Sequence, residues 1–179
     1  MEVTVVIACH FKSKNELCET TIARLKTALQ SAQKGDLVWV TGDVPFAPGG
    51  PTLGNLMKDW LAERNTESSI LLGGVGTFSE ARKACESASQ KGLNIKIVSS
   101  LWHLFQAKPI WQRRAEENGV KISFIPVGHT GGWRTIAIYV ALGIIVRLAI
   151  VFGLENVLEK RLTASQGSRR QGFTFDGCR

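Results

Sequence analysis

The sequence has little of what the commonest metal-binding and catalytic motifs require. Its 179 residues include four cysteines, three histidines and one tyrosine. No two cysteines have CxxC spacing and no two histidines have HxxxH spacing, so neither a zinc site nor a small disulfide framework is predicted. The chain also lacks a Walker GK[ST] sequence, a GxGxxG fingerprint and a GxSxG elbow. The standard P-loop, dinucleotide and hydrolase motifs are therefore excluded.

The cysteines and the N-terminus point to a reducing compartment. Cys9, Cys18, Cys85 and Cys178 are far apart, and Cys9 and Cys85 are read as small buried apolar residues. The first residues, MEVTVVIACHF, lack the basic leader and long apolar segment of a signal peptide and read as a strand. We expect a cytoplasmic protein, with membrane association on the cytoplasmic side as an alternative raised by the C-terminal region.

Size and charge favour one globular domain that does not bind nucleic acid. Hydrophobic residues make up 44% of the chain and charged residues 21%, with a formal net charge of +7. The basic residues are scattered, apart from a group near the C-terminus, and no nucleic-acid-binding motif accompanies them. Nucleic acid is therefore not predicted as a partner.

Short apolar runs alternate with longer amphipathic ones. The runs are rich in β-branched residues and predict strands at Val3–Cys9, Leu37–Thr41, Ile70–Leu72, Ile95–Val98 and Ile122–Ile125. Helical spacing predicts helices at Asn15–Gln33, Leu53–Arg64, Ser79–Lys91 and Leu101–Asn118. The alternation predicts an α/β fold, a Rossmann-like doubly wound sheet of about five parallel strands in three α/β/α layers. The strand order stays open between Rossmann-like and flavodoxin-like.

The C-terminal part differs from this pattern. We assign residues 1–132 to the Rossmann-like domain, 133–162 to a long apolar helix and 163–179 to a flexible polar tail. From Thr135 to Leu162 the helix would run roughly 40 Å, longer than a small domain needs to cover its sheet. It has the length of a membrane span, but Arg147 inside it would cost roughly 2.5–3.5 kcal/mol near the bilayer centre. Two alternatives remain: the helix contacts a membrane, or it packs on the sheet and on a partner chain as a homo-oligomer.

Ligands of parallel sheets bind where the strands end, and the loop after the second strand is the first candidate. It begins with Thr41, Gly42 and Asp43 and ends with Gly49-Gly50-Pro51-Thr52 ahead of a helix. The glycine amides and the helix N-terminus suit a phosphate or carboxylate. The alternative is an ordinary loop with Thr52 as the N-cap.

The loop after the third strand is glycine-rich and also opens a helix. A helix N-terminus here suits an anion, with Glu80 or Arg82 presented to it. The candidate residues are Gly73, Gly74, Gly76, Thr77, Glu80 and Arg82. The alternative is a capping box, in which Thr77 and Glu80 satisfy the free amides of the helix start.

After the fourth strand, Ser99 and Ser100 precede His103. With Ser100 as the N-cap, His103 lies in the first helical turn, whose positive end disfavours a protonated imidazole. His103 would then stay neutral and act as a base or hydrogen-bond donor near pH 7. His10 ends the first strand at the same edge, and His129 follows the fifth.

These segments resemble the YdcF/SanA-like family, also called domain of unknown function 218 (DUF218). The resemblance lies in VTGD at 40–43, GTFSEARKA at 76–84 and VSSLWHLFQAKPIW at 98–111, and covers roughly residues 1 to 128. It departs from the family at the first strand end, where ACHFKSKNE replaces a glycine-rich loop, and at Ser79-Glu80-Ala81, where many members have Glu-Asn-Ala. The resemblance implies a Rossmann-like domain with a polar cleft, an enzyme of unsettled reaction, and a link to envelope biogenesis and membranes.

The sequence thus predicts binding of a small anionic ligand, phosphorylated or nucleotide-like, at the carboxyl edge of the sheet. A hydrolase or transferase would use His103 for acid–base chemistry, with Glu80 or Asp43 either orienting it or holding a metal ion. No cofactor is identified and no metal site is predicted. The alternative function is a non-catalytic membrane- or envelope-associated module that acts through residues 133–162.

Overall fold

A five-stranded parallel sheet forms the centre of the protein. The computed structural model describes residues 1–32, 36–43, 45, 49–73, 76–128 and 132–169, without the side chains of 135 and 163–169. The sheet strands are β1 (Glu2–Val6), β4 (Leu37–Val40), β5 (Ser69–Ile70), β6 (Asn94–Ser100) and β7 (Ile122–Val127). They lie in the order β5-β4-β1-β6-β7, and all pairs are parallel. The predicted α/β class is confirmed, and the order is Rossmann-like.

Helices cover both faces of this sheet. They are α1 (Glu19–Ser31), α2 (Leu53–Ala62), α3 (Thr77–Gln90), α4 (Leu101–Glu117), α5 (Trp133–Val151) and α6 (Glu155–Arg169). Val3 and Val5 of β1 belong to the core cluster shared with α3, α4 and α5. Val6 belongs to the cluster shared with α1 and α2. Because neighbouring strand residues point to opposite faces, the short β-branched strands are buried on both sides.

A small hairpin between β1 and α1 was not predicted. Strands β2 (Phe11–Ser13) and β3 (Glu16–Leu17) pair antiparallel and form a separate two-stranded sheet. The predicted helix from Asn15 was wrong over its first residues, and α1 begins at Glu19. Lys14 and Asn15 form the turn of the hairpin. The buried Leu17 of β3 has the spacing of an apolar helix position, which explains the wrong prediction.

The prediction of one long apolar C-terminal helix was wrong. The segment is divided into α5 and α6 by a turn at Phe152 and Gly153, and Gly153 has a φ of 68°, which favours glycine. Helix α6 is polar and continues to Arg169, into the predicted tail, while residues 170–179 lie outside the described part. Within the described residues, no helix has the length and apolar character needed to cross a membrane.

Three of the four cysteines lie in the described chain. Cys18 and Cys85 are buried, and Cys9 is half-buried. Burial raises the pKa of the Cys85 thiol to about 12, so this thiol stays protonated and unreactive at neutral pH. The expectation of a small buried apolar residue is confirmed for Cys85. Cys178 lies outside the described residues.

Candidate functional site

The site lies where the chain changes direction across the sheet. From β1 the chain passes through α1 to β4 on one side, whereas from β6 it passes through α4 to β7 on the other. In open parallel sheets the loops that leave two such strands diverge, and ligands bind in the crevice outside their carboxyl ends, here the ends of β1 and β6. Cys9 and His10 follow β1, and Ser99, Ser100 and His103 end β6 and open α4.

His103 is held by hydroxyl groups on both ring nitrogens. Ser99 Oγ lies 2.9 Å from Nδ1, and Thr77 Oγ1 lies 3.5 Å from Nε2. The ring of Tyr139 from α5 meets the imidazole edge-on at a centroid distance of 5.6 Å. The structure thus brings three of the predicted site residues, Thr77, Ser99 and His103, into one half-buried cluster.

The adjacent serine is bound on the opposite face of the sheet. Ser100 is the N-cap of α4, as predicted, but its side chain makes no capping hydrogen bond. Its Oγ instead accepts a hydrogen bond of 2.8 Å from Arg24 Nη2. Ser99 and Ser100 are both fully buried, and successive strand residues point to opposite faces, so the pair joins His103 on one face to Arg24 on the other.

Arg24 is a buried charged residue of the candidate site that was not predicted from the sequence. It is 1% exposed, and its Nη1 donates to the carbonyl oxygens of Ile7 at 2.7 Å and Ala8 at 3.0 Å. Its Nε has no hydrogen-bond partner. Among the described residues its partners are carbonyl oxygens and a hydroxyl, not a carboxylate, so its positive charge is not neutralised locally. The available signal was its position beside Leu25 and Ala28 on the buried face of α1.

Both histidines of the crevice are neutral at pH 7. The pKa of His103 is lowered to about 3, chiefly by burial and then by the positive charges of Arg24 and His10. The pKa of His10 is also lowered, chiefly by burial; Cys18 opposes the shift and Arg24 adds to it. The predicted neutral state of His103 is reproduced, but burial rather than the helix terminus is its main cause. A base of such low pKa accepts a proton only when a nearby negative charge stabilises the imidazolium.

Asp43 connects the loops after β4 and β5. Its Oδ2 accepts a hydrogen bond of 2.8 Å from the amide of Gly73, which has a φ of 81°. Within the described residues this carboxylate is bonded to the loop and not to His103. Asp43 thus holds the loop after β5 through the Gly73 amide. This geometry does not support the prediction that Asp43 orients His103.

Close packing against Ala8 after β1 and Leu53 at the start of α2 requires glycine at position 42. Its φ is 96°, and a Cβ at this position would lie 2.8 Å from the Leu53 Cβ and 2.9 Å from the Ala8 Cβ. Its carbonyl oxygen also accepts a hydrogen bond of 2.8 Å from the amide of Gly54. Gly42 therefore lets the strand ends and the start of α2 approach one another.

We expect the substitution Gly42→Ala to lower the free energy of unfolding by about 3 kcal/mol, because backbone strain and overpacking add. Gly92→Ala is the matched control, since Gly92 also has a positive φ but has no atom within 4 Å of the added Cβ. It should cost only about 1 kcal/mol. Urea unfolding of both variants measures the difference, and equal losses would contradict the close packing at Gly42.

Helix α3 begins one residue earlier than the capping-box interpretation requires. Its N-cap is Gly76, with a φ of 93° that favours glycine, and Thr77 is already helical. The capping box was therefore wrong, and the Thr77 hydroxyl faces His103 instead. Glu80 is buried in the first turn of α3. Gly74 and His129 lie outside the described residues.

Two other predicted residues have structural partners. Arg82 Nη2 donates a 2.8 Å hydrogen bond to Glu159 of α6, so its guanidinium is paired with the C-terminal region rather than presented at the crevice. Thr52 is the N-cap of α2, and its Oγ1 accepts a 3.0 Å hydrogen bond from the Asn55 amide. The ordinary-loop alternative therefore accounts for Thr52.

The described residues contain no group of three or more histidine, cysteine, aspartate or glutamate side chains that could hold a metal ion. A cavity of about 610 Å³ lies at the amino-terminal edge of the sheet, between the starts of β4 and β5. It is lined by residues such as Trp39, Lys58 and Ser69, and none of the predicted site residues contributes to it.

Comparisons with known proteins identify no relative of this chain. No family model matches the chain, and neither a curated protein nor a solved structure matches it. The fold and the site define an α/β protein with Rossmann strand order, with a buried arginine and a half-buried histidine at its switch point.

Proposed function

We propose that this chain binds a small anionic ligand, phosphorylated or nucleotide-like, in the crevice between the ends of β1 and β6, and that it is an enzyme using His103. The observation that carries the proposal is Arg24. A buried guanidinium without a carboxylate partner is costly unless something compensates its charge. A bound anion in the crevice would compensate the positive charge of Arg24. It would act across the chain segment after β1, whose carbonyl oxygens Arg24 binds.

The starts of two helices support an anion at the same edge. The N-caps of α3 and α4, Gly76 and Ser100, make no side-chain capping hydrogen bond. The first amides of these helices are thus not satisfied by their own N-cap side chains, and helix N-termini bind phosphate groups through such amides. Thr77 and His103 lie in the first turns of these two helices and contact each other, which brings the two starts together.

His103 would exchange a proton with a bound ligand rather than with the solvent. At neutral pH its unprotonated ring accepts or donates one hydrogen bond on each nitrogen, and Ser99 fixes Nδ1. A bound phosphate would raise the pKa of the imidazole, which allows proton transfer in a hydrolase or transferase step. The segments VSSLWHLFQAKPIW and GTFSEARKA, which resemble the YdcF/SanA-like family, contact each other at this edge through His103 and Thr77.

The experiment is thermal unfolding of the wild type and two variants against inorganic phosphate, nucleotides, S-adenosylmethionine, sugar phosphates and divalent metal ions. A ligand at 100 times its dissociation constant adds about 2.7 kcal/mol of stability. We expect a phosphorylated compound to stabilise the wild type and not His103→Ala. Asn118→Ala is the control, because it removes a hydrogen bond to the Arg114 carbonyl at the other end of α4. The proposal fails if no phosphorylated compound stabilises the wild type, or if His103→Ala responds like the control.

The second candidate, a module acting through residues 133–162, has support from one observation: one side of α5 is apolar and exposed. Truncation at Trp133 would not test it, because Val146 and Ala149 of α5 are buried against the domain. Removing them would leave a core cavity costing several kcal/mol. Substitutions confined to the exposed side are the suitable probes.

A further inference from the structure

Helix α5 carries a continuous apolar stripe that nothing in the described chain covers. We call this set the α5 stripe: Ala137, Ile138, Ala141, Ile144, Ile145, Leu148 and Val151 of the helix, with Phe152 of the turn that follows it. Its six large side chains are between 47% and 77% exposed. On the other side of the helix, Gly143 lies against Phe105 of α4 and Val146 is fully buried. Exposed apolar surfaces of this extent mark interaction sites.

We propose that the α5 stripe binds the α5 stripe of a second copy of this chain, with the two helices antiparallel. The inference is independent of the proposed ligand. Ile138, Ile145 and Phe152 are seven residues apart in turn, as are Ile144 and Val151. A seven-residue repeat keeps an apolar seam facing a partner helix along its length.

The sizes of the side chains set the direction of the pair. The N-terminal half of the stripe contains the two small residues, Ala137 and Ala141, whereas the C-terminal half contains only large ones. An antiparallel pair places each small half against the large half of the partner, so the side chains interdigitate. A parallel pair would crowd the large halves and leave space between the small ones. A two-fold axis near the middle of α5 generates this arrangement with identical surfaces.

The charges at the ends of α5 are complementary in the same direction. Its first turn has no acidic residue and its last turn has no basic residue, so neither end of the helix dipole is compensated within the helix. Arg134 is exposed at the N-terminal end, 5.7 Å above the ring of Trp133. In the antiparallel pair it reaches the negative C-terminal end of the partner helix, where a cation is stabilising.

Exposed apolar side chains continue beyond both ends of the stripe. Helix α5 is about 28 Å long at 1.5 Å per residue. Exposed Trp133, Leu154 and Val157 extend the apolar surface beyond both ends of the stripe. A standard stable interface buries about 800 Å² on each partner, so a stable dimer would bury most of the exposed side chains of the stripe and these flanks.

Sedimentation equilibrium of the full chain without detergent tests the interface. We expect a wild-type dimer and a monomeric Ile145→Glu variant, because two carboxylates would be buried without partners. Leu37→Glu is the control, since Leu37 is 41% exposed at the start of β4, outside the stripe, and it should remain dimeric. Ile138→Glu provides a second break in the stripe, and circular dichroism selects the variants that fold. A monomeric wild type, or folded stripe variants that stay dimeric, would overturn the proposal.

Arg134→Glu tests the direction of the helices. In the antiparallel pair it replaces two favourable helix-end contacts with unfavourable ones, so the dimer dissociation constant should rise about tenfold. A parallel pair would bring the two copies of Arg134 together, and the variant chains would then bind each other as well as the wild type or better.

Vesicles of phosphatidylcholine and phosphatidylglycerol test whether the α5 stripe binds a lipid surface instead of a second chain. A wild type that stays monomeric in solution and cosediments with these vesicles would assign the stripe to a lipid surface and reject the dimer.

Discussion

Replacing Arg24 with methionine should lower the free energy of unfolding by about 3 kcal/mol and raise the pKa of His103. The guanidinium donates to Ile7 O, Ala8 O and Ser100 Oγ, and each buried acceptor left without a partner costs about 1–3 kcal/mol. Removing a buried charge offsets part of this cost. The His103 pKa should rise from about 3 yet stay below its usual value, because burial is its larger cause.

The variant Arg24→Lys separates the two roles of this side chain. Lysine keeps the positive charge, but its single ammonium group cannot bridge three acceptors as the planar guanidinium does. We expect a similar loss of stability with a His103 pKa that stays low. Denaturant unfolding measures the first quantity, and the imidazole chemical shifts in an NMR pH titration measure the second. An Arg24→Met variant as stable as the wild type, with an unchanged His103 pKa, would show that Arg24 has neither role.

Acid should destabilise the protein through His103. The imidazole has a pKa of about 3 in the folded state and about 6.5 in the unfolded state, so the unfolded chain binds the extra proton between these values. The free energy of unfolding therefore falls as the pH decreases from about 6.5 towards 3. The share of His103 approaches about 1.4 kcal/mol per pH unit. His10, whose pKa is also lowered, contributes with the same sign.

His103→Gln isolates this contribution, because glutamine does not titrate. The difference between the two stability curves should be flat above about pH 7 and should change by several kcal/mol by about pH 3.5. Acidic groups that lose ion pairs at low pH, such as Glu117 with Arg113 and Arg114, are common to both proteins and cancel. Parallel curves across the whole range would mean that the imidazole is solvated and protonates normally.

The fold could be predicted from the sequence because its signals are local. The strand Val3 to Val6 and the helix that ends before Gly92 follow from β-branched runs, helical spacing and a glycine just after the helix C-cap. The order of the strands depends on whether each crossover connection adds the next strand to the left or to the right in the sheet. The five apolar runs carry no information on this direction. The hairpin before α1 was missed because Leu17 fits a helical pattern as well as a strand.

The candidate site was only partly predictable, for a different physical reason. Ser99, Ser100 and His103 are close in sequence and could be placed at one strand end. Arg24 is 76 residues from the Ser100 that it binds, and no spacing rule connects them. Arg82 was predicted at the crevice because it follows the helix start, but its length lets it pair with Glu159 in α6. Short side chains near a strand end were thus easier to place than long or buried cations.

The most direct test of the account is an NMR titration of the His10 and His103 ring signals with inorganic phosphate, adenosine monophosphate and glucose 6-phosphate. We predict that at least one of these compounds shifts both sets of signals with saturation and raises the pKa of His103, and that Arg24→Met abolishes the effect. Ring signals that do not respond to any of the three, up to millimolar concentrations, would contradict an anion site between β1 and β6.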